Sequence, residues 1–195
     1  MPRNKAFQEE AVLERAMQVF WKKGYNATSM EDLVTGMGIN RASLYDTFGD
    51  KKQLFLKILA FYQHQSNQNI QAVMALKKPS PKAQLIAFAE FLMDESLDAK
   101  QEPRGCLLAN ATSEMALLDP DICQFVTNNV YSFEQTFETL IREGQALGEF
   151  NRNAPPQYLA TFLSNFLYGV RTVSKTKPDA TKMRESLALA LSVLG

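Results

Sequence analysis

Apolar residues recur along this chain at three- and four-residue steps almost from end to end. Leu13, Ala16, Met17 and Phe20 take the i, i+3, i+4 and i+7 positions of one helical face, and Gly24 closes that segment. In "TSMEDLVTGMG", Thr28 and Glu31 have the spacing of a capping box, with Met30, Leu33 and Val34 as the buried side and Gly38 as the stop. Asn40 suits the N-cap of a further short helix, 40–48, whose inward positions are Ile39, Leu44 and Phe48. Gly49 and Asp50 then break and recap the chain. From Lys51 the same period continues through Leu54, Phe55, Ile58, Leu59, Phe61 and Tyr62 to Ile70, Val73 and Leu76, with no proline before Pro79. A helix of that length spans on the order of 40 Å.

The linker-like "KKPSPK" ends the long helix. Further helices are expected over 82–97 and 106–117, separated by the polar "DAKQEPRG". Asp119 and Pro120 form a cap with proline at the first helical position, opening a long helix toward Gly144 or Gly148. Pro155 and Pro156 start another, ending near Lys175, and Pro178 and Asp179 start the last. No stretch alternates with period two, so the predicted class is all-α with about nine helices. The boundaries imply an N-terminal three-helix domain over 1–50 and a helical domain over 51–195, bridged by the helix that begins at Lys51.

Composition narrows the picture. With 195 residues and 46% hydrophobic content the chain can bury one large or two small cores, which excludes general disorder. No apolar run approaches ~18 residues and the N-terminus has no apolar h-region, so neither a membrane span nor a secretory signal is expected. Cys106 and Cys123 are too few for a disulfide framework and fit a reducing cytoplasm. Net charge is zero, yet residues 1–57 hold nine Lys/Arg against seven Asp/Glu, which leaves room for a local basic patch. His64, the single histidine, falls on the polar side of the long helix. It has no Cys/His cluster around it, so no metal or other cofactor is expected.

Three short helices with a glycine-bearing turn between the second and third read as a helix-turn-helix over 28–48. A major groove admits one helix, whose inner face must pack on its neighbour while outer residues reach base edges. Arg41, Ala42 and Ser43 occupy the first turn of that helix. Arg41 can donate a bidentate pair to guanine, and Ala42 can touch a thymine methyl. The Thr28 hydroxyl, with the free N–H groups of the second helix's first turn, suits a phosphate, as do Tyr45, Thr47 and Lys51. Polar residues on an exposed helix also serve solvation alone, so at this level both readings stand.

The stretch "AMQVFWKKGYNATSMEDLVTGMGINRASLYDTFGDKKQLF" resembles the N-terminal domain of TetR/AcrR-family transcription regulators. Ala16, Phe20, Gly24, Tyr25, Thr28, Leu33, Gly38, Ile39, Leu44, Tyr45, Phe48, Lys51 and Leu54 carry the resemblance at the family's spacing, over residues 8–56. It implies an all-α homodimer that binds a double-stranded DNA operator, with a regulatory domain behind the DNA-binding one. Thr28, Tyr45 and Lys51 match phosphate-contacting positions, and Arg41, Ala42 and Ser43 match base-reading ones. Met37 stands where a small alanine is usual. Thr47 stands where Tyr or His is common, which leaves it only a hydroxyl contact.

The resemblance also assigns the rear half. The last two helices pair with their copies in a second subunit, which points to Phe162, Phe166, Val170, Leu187 and Leu191 as interface residues. Middle helices surround an effector pocket, toward which Phe88, Phe91, Leu92, Met115, Tyr131, Phe133 and Phe137 are candidates; the same spacing also serves plain core packing. The expected effector is a largely apolar small molecule. Cys106 follows Arg104 and Gly105 at a helix start, where N–H dipoles and a cation favour thiolate. "GCLL" and Lys175 resemble the thiol and lysine of family members that sense electrophiles or oxidants, while a small buried cysteine is the other reading.

The expected function is a sequence-specific DNA-binding regulator, a cytoplasmic repressor released from a palindromic operator by an effector. One alternative is a thiol-based sensor acting through Cys106. Another is an all-helical enzyme or carrier with a vestigial helix-turn-helix. An enzyme would call for a nucleophile–base pair, metal ligands or a phosphate loop, and no such pattern is present, so no catalytic residue is assigned.

Overall fold

The computed structural model describes residues 3–76, 78–97 and 105–195. Among the described residues it contains nine α-helices, one short 3-10 turn and no strand. The helices are α1 (Arg3–Ala27), α2 (Met30–Met37), α3 (Arg41–Phe48), α4 (Lys51–Ala75), α5 (Pro81–Leu97), α6 (Leu107–Met115), α7 (Pro120–Leu147), α8 (Pro156–Val173) and α9 (Ala180–Ser192). Much of the polar stretch after α5, with Arg104, lies outside the described residues.

Local chemistry sets most of the boundaries. Gly24 leaves helical geometry at φ 78°, a left-handed conformation that suits a residue without Cβ, and so bends the end of α1. Gly148 caps α7 in the left-handed conformation. Asn40 accepts from the Ser43 N–H at 2.8 Å to start α3, and Asp50 accepts from the Gln53 N–H at 2.8 Å to start α4. One expectation is corrected. The capping box of α2 is formed by Ser29 and Asp32, one residue later than Thr28 and Glu31. Thr28 turns inward instead and donates its hydroxyl to the Gly24 carbonyl at 2.6 Å. The sixth helix is also shorter than expected, ending at Met115 with a turn before Asp119.

Two apolar cores follow. The first is built by α1–α4, with Phe20, Leu33, Met37, Leu44 and Leu54 fully enclosed, and it extends into α6 and the first turns of α7. Met37 fills space here that a smaller residue would leave open. Gly36 lets α2 close on α1, since a Cβ there would stand 2.3 Å from a Val19 methyl. The second core lies among α5, α7, α8 and α9 around Leu85, Phe88, Phe137, Ile141 and Leu163. Tyr168 on α8 packs against both.

Candidate nucleic-acid interface and sensor cluster

The outer face of α3 is built on a fixed inner one. Leu44 and Phe48 are buried, whereas Arg41, Ala42, Ser43, Tyr45 and Thr47 are exposed. The Arg41 guanidinium stands 5.8 Å from the centre of the Tyr45 ring, so the two side chains share one surface. Lys57 reaches back from α4 and donates to the Thr47 carbonyl at 3.1 Å, adding a cation beside the end of α3. Its position ten residues away gave no local signal of that neighbourhood.

The two lysines after Gly49 divide their roles. Lys51 lies 4.4 Å over the Tyr25 ring, and partial burial lowers its pKa against the opposing pull of Glu114. Lys52 turns the other way, pairing with Asp119 at 2.8 Å and Asp121 at 2.7 Å at the start of α7. The hydrogen bonds from these carboxylates raise the Lys52 pKa. Thr28, expected at a phosphate, is 1% exposed, and its hydroxyl is engaged within the chain. The polar groups at the surface there are Ser29 and the first turn of α2.

Further contacts tie the front of the molecule to α6. The Glu114 carboxylate accepts from the Tyr25 N–H at 2.8 Å and the Asn26 N–H at 2.7 Å, filling the space beside Gly24. Trp21 donates its indole N–H to the Gly105 carbonyl at 3.0 Å and meets Tyr62 edge-on at 5.2 Å.

The seven pocket candidates do not form one group. Phe88, Leu92, Phe133 and Phe137 are buried in the second core, with Phe91 packed against it. Met115 belongs to the first core. Tyr131 is 62% exposed, because two residues along a helix from Phe133 is nearly the opposite face. A polar cluster instead occupies the junction of the cores. The Tyr62 hydroxyl donates to the Cys106 sulfur at 3.4 Å, and Arg171 approaches that sulfur at 3.7 Å. Lys175, the expected companion of Cys106, is exposed, with its aliphatic stem against Gly105; among the described residues a cation that reaches the thiol is Arg171, one turn earlier. Burial and the neighbouring Cys106 push the Tyr62 hydroxyl well above its ordinary range, and Tyr168 is pushed up to about 12, chiefly by burial. Cys123 is half-buried, and His64 is exposed beside Gln68.

The interface candidates also separate. Phe162 is 46% exposed, and Phe166 and Leu191 are half-buried. Val170 and Leu187 are turned into the second core, since α8 and α9 each use one apolar face internally. The outer apolar positions are Tyr158, Phe162 and Val173 on α8 and Leu189 and Val193 after it.

Residues 12–58 match the family model described as bacterial regulatory proteins, tetR family, and residues 81–189 match that of the tetracyclin repressor-like C-terminal domain. The chain belongs to the TetR family. It is 29% identical to an uncharacterised HTH-type transcriptional regulator, YezE of Bacillus subtilis, over the whole of both chains. It is 26% identical to the transcriptional repressor ComR of Escherichia coli, covering 94% of this chain and 87% of ComR. A cysteine-substituted CifR, solved with a 26 bp double-strand operator, superposes with a TM-score of 0.81 at 26% identity, covering 95% of this chain and 96% of that one. This TetR-family protein is thus a DNA-binding transcriptional regulator rather than an enzyme. Among its described residues no helix is long and apolar enough to cross a membrane.

Proposed function

We propose that this regulator is a homodimeric cytoplasmic repressor, released from a palindromic operator by a small-molecule effector. The observation that supports it best is the split of α3, with Leu44 and Phe48 buried while Arg41, Ala42 and Ser43 stand exposed on the first turn. Arg41 reads a base edge, with Ala42 and Ser43 beside it. Tyr45, Thr47 and Lys51 hold phosphates, and the first turn of α2, with Ser29, takes the phosphate expected at Thr28. Selection of bound fragments from random DNA tests this reading. A two-fold symmetric site recovered with the protein supports it, and recovery without sequence preference overturns it.

The second subunit packs on the outer faces of α8 and α9, where Phe162 and Leu189 are exposed and a Cβ added at Gly169 would meet nothing within 4 Å. Release requires an effector with different affinities for two arrangements of the subunits. The ion pairs of Lys52 and the bonds of Glu114 give α6 and α7 a direct grip on the DNA-binding helices. A thiol-sensing variant of this mechanism is favoured by the Tyr62 and Arg171 contacts to Cys106. Under it, Cys106→Ser abolishes release by electrophiles while sparing operator binding; an unchanged response rules it out.

A further inference from the structure

Arg171 is 8% exposed, and its guanidinium carries five N–H donors. Burial works against that charge, and the surrounding Cys106, Tyr62 and Glu95 sustain it. Its side-chain contacts are poor matches for the donors. The Cys106 sulfur at 3.7 Å is a weak acceptor, the Glu95 carboxylate at 4.0 Å is beyond hydrogen-bond reach, and the Phe133 ring lies 5.3 Å away. The side-chain hydrogen bond that the guanidinium makes within the described residues goes to that sulfur. A buried cation is costly unless it is paired and hydrogen-bonded, and the guanidinium fork fits a carboxylate through two parallel bonds.

A buried hydroxyl without a partner lies on the same face of α8 as this weakly matched cation. Ser164 is 2% exposed, and its hydroxyl has no hydrogen-bond partner among the described residues. Ser164, Tyr168 and Arg171 follow the i, i+4, i+7 spacing, so the serine and the arginine lie about 10 Å apart along the helix. Between the two core systems, Phe133 offers an apolar wall at the arginine end.

We infer that Arg171 anchors a binding site for an amphipathic monocarboxylate, whose carboxylate pairs with the guanidinium and whose apolar tail runs along α8 toward Ser164. The inference rests on the effector-released reading above and names the chemical class of the effector. Glu95 is the internal competitor. Its side chain is 35% exposed and its other oxygen accepts from Asn69 at 3.4 Å, so it stays at long range while a ligand carboxylate reaches bonding distance. The location also suits a switch, because Tyr62 belongs to α4, Cys106 precedes α6, and both touch the cluster that Arg171 completes.

Calorimetric titration of the full chain with octanoate and hydrocinnamate, each against its uncharged amide, tests this site. Both acids are expected to bind, with the amides about 30-fold weaker, as loss of a charge-assisted pair worth about 2 kcal/mol requires. Arg171→Met should erase the difference between acid and amide, and Glu95→Gln should tighten the acids. Equal binding of acid and amide by the natural chain, no binding of either acid at millimolar concentration, or weaker acid binding by Glu95→Gln would each overturn it. The comparison of acid with amide needs no variant, so a folding defect in Arg171→Met leaves the test intact. Operator release is followed in parallel. Acids that bind without releasing operator leave the site standing and sink the effector reading, whereas release by other molecules without acid binding does the reverse.

Discussion

Replacing Arg41 with alanine should relax base preference at one operator position and cost about 1–3 kcal/mol there, while Lys51→Ala should weaken all sequences alike and lower the salt slope by ~1. Binding titrations on matched and mismatched operators at several salt concentrations separate the two; uniform weakening by Arg41→Ala contradicts its role. Asp32 supplies a pH prediction. The Lys23 hydrogen bond, then those from Ser29, hold its carboxyl at about 2, below the ordinary 3.8. The charged cap therefore contributes fully above 3.8 and its contribution is lost as pH falls through about 2. Asp32→Asn should flatten the acid limb of thermal stability against pH. Residue types were legible in the sequence here, but neighbours were not. Thr28 and Ser29 are both good caps, and only the bend at Gly24 decides that Thr28 faces inward. Likewise Lys175 and Arg171 lie one turn apart; the lysine falls in the 3-10 turn after α8 and is exposed, while the arginine on α8 stands beside Cys106.

At the scale of helices, the caps located α3, α4, α7 and α9 closely, because each begins at a side-chain cap that local spacing reveals, whereas the cap of α2 lies one residue later than its spacing suggests. Contacts between helices distant in sequence had no such signal. Asp119 caps α7 with one carboxylate oxygen and holds Lys52 with the other, joining α4 to α7. Glu114, with nothing in its surroundings to mark it, closes the end of α1 through two backbone N–H groups. Glu114→Ala leaves the Tyr25 N–H unpaired and should destabilise the protein by about 2 kcal/mol in urea unfolding. Lys52→Met should spare unliganded operator binding more than it spares effector response. An effector dose–response that is unchanged in Lys52→Met counts against transmission through this pair.

For the whole molecule, the broad stripes on α8 and α9 allowed both core packing and the subunit pairing that the family resemblance implies, without showing which residue served which. Val170 and Leu187 lie in the core, whereas Phe162 and Leu189 are exposed. Phe162→Glu combined with Leu189→Glu should give a folded monomer in sedimentation velocity, with operator affinity reduced because one recognition helix then meets one half-site. A dimer unaffected by both changes places the interface elsewhere. The most direct test of operator recognition is nuclease footprinting of the natural chain on genomic fragments. The expected result is a protected palindrome whose half-sites are centred about one helical turn apart, ~34–36 Å, or a multiple of it. Protection without two-fold symmetry, or none on any fragment, would contradict it.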